Sequence, residues 1–279
     1  MSSGSRRRAA AVAFGAGTLA LVAGCSAGTA GSAQATAPKA VSPQTAITLA
    51  ADRSQRANTM AATFSMRISG KVAETVTGTM QMRLRPALLV DEHLSVSAAG
   101  QTFPMDEIVS AKAIYLKSPA FAALAKPGKP WIGIKFSDVP GNLGSSLQSL
   151  MQNVQNGDPA SQTKMLAASK NVRAVGTQVI DGVSTTRYTG TFTPSAARAT
   201  LSPSLRKELA PALKLITGDI RFNAWIDAQH EVRRITEVYT VMGETASVTM
   251  NVTAVNQPVH IRRPPASRTT VPSASALGV

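Results

Sequence analysis

Three histidines, one cysteine and a scatter of carboxylates are the groups in this chain best suited to acid–base, nucleophilic or metal chemistry. His93, His230 and His260 show no regular spacing to one another or to an acidic pair, and His230 and His260 read as solvated surface residues. Asp91-Glu92 and Asp106-Glu107 are adjacent acidic pairs, but neighbours on a strand point to opposite faces, so neither pair makes a shared site. Nucleophile motifs and phosphate-cradling glycine loops are absent, and serines without a partnered base are not evidence of catalysis. Cys25 stands alone, which excludes a disulfide framework and a cysteine-based metal site. The expectation is no enzyme, no cofactor and no metal.

The methionines carry more information. The chain has 10 of them against an aromatic content of only 4%. Met66, Met80, Met82, Met105, Met165 and Met250 all fall on faces predicted to be apolar. Methionine is flexible and polarizable, suited to irregular core gaps and to adaptable binding surfaces. Met66, Met80, Met82, Met105, Phe222 and Met250 on strands, with Leu147 and Met151 on a helix, are therefore the candidate walls of an apolar cavity. A filled core uses the same residue types, so that alternative stays open.

The elements that must position these side chains are mostly strands. Ile220 to Ile226 and Ala246 to Ala254 alternate apolar and polar residues, and Val232 to Val241 between them is rich in β-branched residues, which predicts three antiparallel strands with one buried and one wetted face. Earlier, Ser42-Pro43 opens a helix reaching about Asn58. Strands follow at Phe64–Ile68, Val76–Leu84, Leu88–Ala98, Thr102–Val109, Ala113–Lys117 and Trp131–Phe136, with a helical piece near Phe121–Ala125. The period then changes: Leu143, Leu147, Leu150, Met151 and Val154 fall at helical spacing. A second helix begins at Asp158-Pro159. Val172–Ile180 and Val183–Phe192 form a hairpin turned by Asp181-Gly182. Short helices open at Thr193-Pro194 and Ser202-Pro203, the latter ended by Gly218. The predicted class is α+β: a strongly curved antiparallel β-sheet, a half-open barrel, with helices covering the concave face. Residues 42–262 read as one domain and 263–279 as a disordered tail.

Residues 1–24 read as a signal peptide, with Arg6-Arg7-Arg8 before an apolar run of about 15 residues, short of the ~20 that span a bilayer. The run ends in Leu21-Val-Ala-Gly-Cys25, which resembles the bacterial lipobox and makes Cys25 the lipidation site. Two acyl chains there suffice for stable anchoring. Residues 25–41 are a flexible tether of Ala, Gly, Ser, Thr and Pro. Loss of a leader holding three arginines and no acid leaves 26 basic and 15 acidic residues, a net charge of +11. Export and the want of stacking aromatics argue against nucleic acid as partner. Anionic lipid or wall polymer is the simpler counterpart.

An exported lipobox protein with this strand order resembles the actinobacterial LppX/LprG lipoproteins, related in fold to the LolA/LolB lipoprotein carriers. The matching residues are Ala113-Ile-Tyr115-Leu-Lys-Ser-Pro119, Lys129-Pro-Trp131-Ile, and Val179-Ile-Asp-Gly182-Val-Ser-Thr-Thr-Arg187-Tyr188. Ala224-Trp225-Ile-Asp227, Val232-Arg-Arg-Ile235 and Gln257-Pro258-Val-His-Ile261 complete them. The resemblance implies a lipid or acylated glycolipid held in a cavity, a plasma membrane reached through the lipid anchor, and an envelope transporter as partner. The expected role is a lipid carrier or chaperone on the extracytoplasmic face of the cell membrane. The alternative is a ligand-free structural or regulatory envelope lipoprotein acting through protein–protein contacts.

Overall fold

The computed structural model describes residues 41–70, 73–139, 165–201 and 210–273, with Pro203 and Arg206. The signal peptide, Cys25, the tether to Ala40 and the helical stretch holding Leu147 and Met151 lie outside the described residues. The first element, helix α1 (Pro43–Gln55), starts where the sequence places it. Ser42 Oγ accepts from the Thr45 amide at 3.1 Å, and Pro43 occupies the first turn, where a missing N–H costs nothing. At the other end the Arg85 guanidinium donates to the carbonyls of Gln55 and Ala57 at 2.6 and 2.7 Å. Those carbonyls have no partner within the helix, so Arg85 supplies what the helix end lacks.

Among the described residues twelve strands form one sheet. A first meander holds β1 (Thr59–Ser69), β2 (Glu74–Arg83), β3 (Leu89–Ala98), β4 (Gln101–Ser110), β5 (Ala113–Lys117) and β6 (Trp131–Lys135). A 3-10 turn at Pro119–Leu124 separates the last two. The second meander holds β7 (Arg173–Ile180), β8 (Val183–Phe192), β9 (Ile216–Asp227), β10 (Val232–Val241) and β11 (Glu244–Val255). The hairpin of β7 and β8 turns on Asp181 and Gly182, at φ +49° and +80°. Two left-handed residues give the turn whose twist matches its strands, and Asp and Gly tolerate that region. Between β8 and β9 lie helices α2 (Pro194–Thr200), capped by Thr193, and α3 (Ala210–Lys214). The meanders are joined where β1 pairs with β11.

The sheet is one large open one whose two outermost strands do not pair, in keeping with the half-open arrangement expected from the sequence. Two other expectations are corrected. Strand β9 begins at Ile216, and Gly218, read as a helix stop, lies within it at φ +71°. Glycine alone makes that conformation cheap, so one residue serves either context. The stretch read as a disordered tail contains a 3-10 turn at Ala266–Arg268 and strand β12 (Thr269–Thr270), which pairs in parallel with β6. Both threonines are buried, and Thr270 Oγ1 accepts from the Lys126 amide at 2.9 Å and donates to the Lys129 carbonyl at 3.2 Å. Side-chain hydrogen bonds, invisible to composition, overcome its Pro/Ser/Ala bias.

The main core packs Ile47 and Ala50 of α1 with Leu166, Phe192, Ile220, Phe222, Ala224 and Ile235. Phe222 is 1% exposed and lies opposite Gly190 of β8. A Cβ on Gly190 would come within 2.8 Å of the Phe222 ring, so the bare glycine makes room for it. A second cluster gathers Ala57, Leu84, Leu88 and Val90.

Candidate functional site

Cross-strand partners share a face, so strand register sorts every side chain of the sheet onto one of two surfaces. Starting from Ala224 in the core, the chain of partners runs Tyr188, Ala224, Ile235, Met250, Phe64, Gly78, Leu94, Met105. Two residues along, a parallel row runs Gly190, Phe222, Glu237, Val248, Met66, Val76, Val96, Phe103. Further along again come Ala62, Met80, Glu92, Glu107, Leu116 and Ile132. This face is apolar, rich in methionine, and interrupted by carboxylates.

All the described cavity candidates fall on it, in two groups. Phe222 lies in the main core, Met250 packs against that core, and Met82 packs against the second cluster. Met66, Met80 and Met105 are half-buried and stand on the same face outside both clusters. Leu147 and Met151 lie outside the described residues, and Met165 packs on the main core.

Strand-level reading missed the acidic pair. Asp91 and Glu92 do point to opposite faces, as do Asp106 and Glu107, yet register places Glu92 directly across from Glu107. Burial first, then the Glu107 charge, raises Glu92 to about 7, and burial raises Glu107 as well. Glu237 is 9% exposed between Phe222 and Val248. Its Oε1 has no hydrogen-bond partner among the described residues, and burial raises its carboxyl to about 7. The signal available in the sequence was a glutamate in the otherwise apolar every-second-residue set Ile235, Glu237, Tyr239, Val241.

The opposite face is polar and basic. Arg67, Arg83, Lys117, Lys135, Arg173, Arg187, Arg221 and Arg234 all lie on it by register. Arg233, at the β10 irregularity, instead pairs with buried Asp227 at 2.7 Å. Trp225 lies under two guanidinium groups, those of Arg187 and Arg234 at 5.3 and 5.7 Å, and donates its Nε1–H to Gln178 at 2.8 Å. Arg187 also donates to Asn223, and Arg234 to Asn251, tying four neighbouring strands together. On the same face His93 Nδ1 lies 2.9 Å from Asp106, whose other oxygen accepts from Lys117 at 2.8 Å. Burial works to raise Asp106, but those hydrogen bonds from Lys117 and His93 outweigh it and hold the carboxyl low. A pocket of about 160 Å³ opens beside it, with Thr63, Thr79, Gln81, Asp91 and His93 in its lining together with the cavity candidate Met80. With His93 64% exposed, the cluster is a solvated ion-pair group of small energetic weight. Among the described residues no group of His, Cys, Asp and Glu could hold a metal ion, and no helix is long and apolar enough to cross a membrane.

Residues 158–261 match the LppX_LprAFG lipoprotein family model. LppX of Mycobacterium tuberculosis, named as a candidate transporter of phthiocerol dimycocerosate, is 39% identical over 89 residues, and LppX of Mycobacterium bovis equally so. That stretch is 32% of this chain and spans about a third (36%) of the length of those relatives. The crystal structure of LprF from Mycobacterium bovis superposes with a TM-score of 0.52 at 13% identity, covering 80% of this chain and 96% of LprF. The likeness implied by the strand and turn motifs is therefore present twice: over residues 158–261 the chain matches the LppX_LprAFG lipoproteins in sequence, and over 80% of its length it is similar in fold to LprF.

Proposed function

We propose that this chain is an extracytoplasmic carrier that holds a lipid or acylated glycolipid against the apolar face of its sheet, anchored to the membrane through Cys25. The observation that carries this reading is the placement of Met66, Met80 and Met105. They share one apolar face, remain half-buried, and belong to neither packed cluster. Flexible thioethers on an incompletely covered surface suit an acyl chain, whose burial contributes about 0.8 kcal/mol per CH₂. Likeness to LppX, a candidate lipid transporter, supports the same reading. The filled-core alternative is favoured only around Met82, Met250 and Phe222, which are already packed.

Native purification followed by mass spectrometry of co-extracted lipid tests the carrier reading. Met80→Trp and Met105→Trp should abolish lipid retention with little change in melting temperature. Met82→Trp should overpack its cluster and cost roughly 1–3 kcal/mol whether lipid is present or not. Three equal losses of stability, with no lipid on the wild type, would instead mean that the face is filled by the protein itself.

The anchor is tested separately. Cys25→Ala should lose incorporation of a clickable fatty acid, and equal labelling of both proteins would remove Cys25 from the proposal.

A further inference from the structure

The sorting of charge between the two faces bears on what kind of lipid the site accepts. Outside the β10 irregularity every strand lysine and arginine lies on the polar face, whereas Glu92, Glu107 and Glu237 lie on the apolar one. A phosphate or carboxylate head group laid on the apolar face would meet no strand cation there, and carboxylates besides. Desolvating an anion without a counter-charge is expensive, and a like charge nearby adds to the cost.

Glu237 is the distinctive member of the three. Its flanking partners across the sheet, Phe222 and Val248, are apolar, and Met66 is the next residue along that row. Its Oε1 is buried without a hydrogen-bond partner among the described residues. Buried polar atoms are nearly always satisfied, so an orphan in a prospective binding face asks for a partner that the free protein lacks. A neutral carboxyl can offer one O–H donor and an acceptor oxygen. Burial favours the neutral form, as its raised pKa reflects.

Resting on the carrier reading, we propose that the Glu237 carboxyl donates a hydrogen bond to an uncharged carbonyl or hydroxyl of the bound lipid, so that this face selects uncharged ester lipids over anionic ones. Acyl chains lie along Met66, Met80 and Met105, and Glu237 fixes the register of the ester among them. Leaving the donor unmatched is what penalises a lipid without an acceptor. Making or losing one neutral hydrogen bond in such surroundings changes affinity by about tenfold.

The test uses the full chain and three probes at pH 6: ethylene glycol dioleate, its dioleyl ether analogue, and phosphatidylglycerol. Wild type should bind the diester about tenfold more tightly than the diether, and phosphatidylglycerol most weakly. Glu237→Gln keeps an N–H donor and should keep the diester preference. Glu237→Leu should bind both neutral probes within twofold of each other. A Leu variant that preserves the tenfold ratio would overturn the role of Glu237, as would a Gln variant that loses it while its melting curve matches wild type. Tighter binding of phosphatidylglycerol would overturn the selectivity for uncharged lipids. Wild type binding diester and diether equally removes the Glu237 donor but leaves the carrier standing; wild type binding none of the three sinks both.

Discussion

Truncating Phe222 to alanine is expected to destabilise the protein by about 3–5 kcal/mol. The ring is 1% exposed, sits 5.9 Å from the Phe192 ring centroid, and fills the space that Gly190 leaves open on the neighbouring strand. Nothing next to it can collapse inward cheaply, because Gly190 has no side chain and Phe192 is held at the end of β8. Urea unfolding of the variant reads the loss directly as a lower midpoint at unchanged slope. A loss below about 1 kcal/mol would mean that the core relaxes around the hole, and that Phe222 is not the centre of the packing.

Raising the pH from 4.5 to 8 should weaken the wild type more than it weakens Glu237→Gln. In the folded chain Glu237 keeps its proton up to about 7, against 4.5 for the free side chain. Between those values the unfolded state binds fewer protons than the native one, so stability falls as pH rises through the window and levels off above it. The full difference is about 3 kcal/mol. Glu92, raised for the same first reason, burial, adds a change of the same sign. At pH 8 the Gln variant should therefore be the more stable protein, and at pH 4.5 the two should be close. Denaturation midpoints measured at pH 4.5, 6 and 8 settle it; parallel curves for the two proteins would mean that Glu237 ionises freely in the native state.

Periodicity made most of the sheet legible. Strands β5, a short apolar run, and β10, rich in β-branched residues, begin and end where the sequence places them, and the turn chemistry of Asp181-Gly182 set the β7–β8 hairpin. Cap chemistry did the same for α1 at Ser42 and α2 at Thr193. What alternation does not contain is register between strands far apart in the chain. The pairing of β1 with β11 brings Met66 opposite Val248, and no local pattern specifies it. The Glu92–Glu107 contact failed to show for the same reason: each pair was judged along its own strand, while the meeting occurs across two. The candidate methionines were found as a set because side-chain type and parity are local properties. Their division into packed and half-buried members depends on which cluster lies above each, which is a tertiary fact.

Strand β12 also has a consequence in time. Its partner β6 is made first, and the Thr270–Lys129 contact spans 141 residues. A chain growing at about 5–20 residues per second leaves that flank of the first meander unpaired for on the order of ten seconds. During that interval β6 presents bare amides and carbonyls to any passing strand, its own neighbours on a polysome included. The pairing of Thr269 and Thr270 with Trp131 and Ile132 thus closes off that part of β6 late, and a ribosome that stalls short of it leaves β6 with one side still seeking a strand.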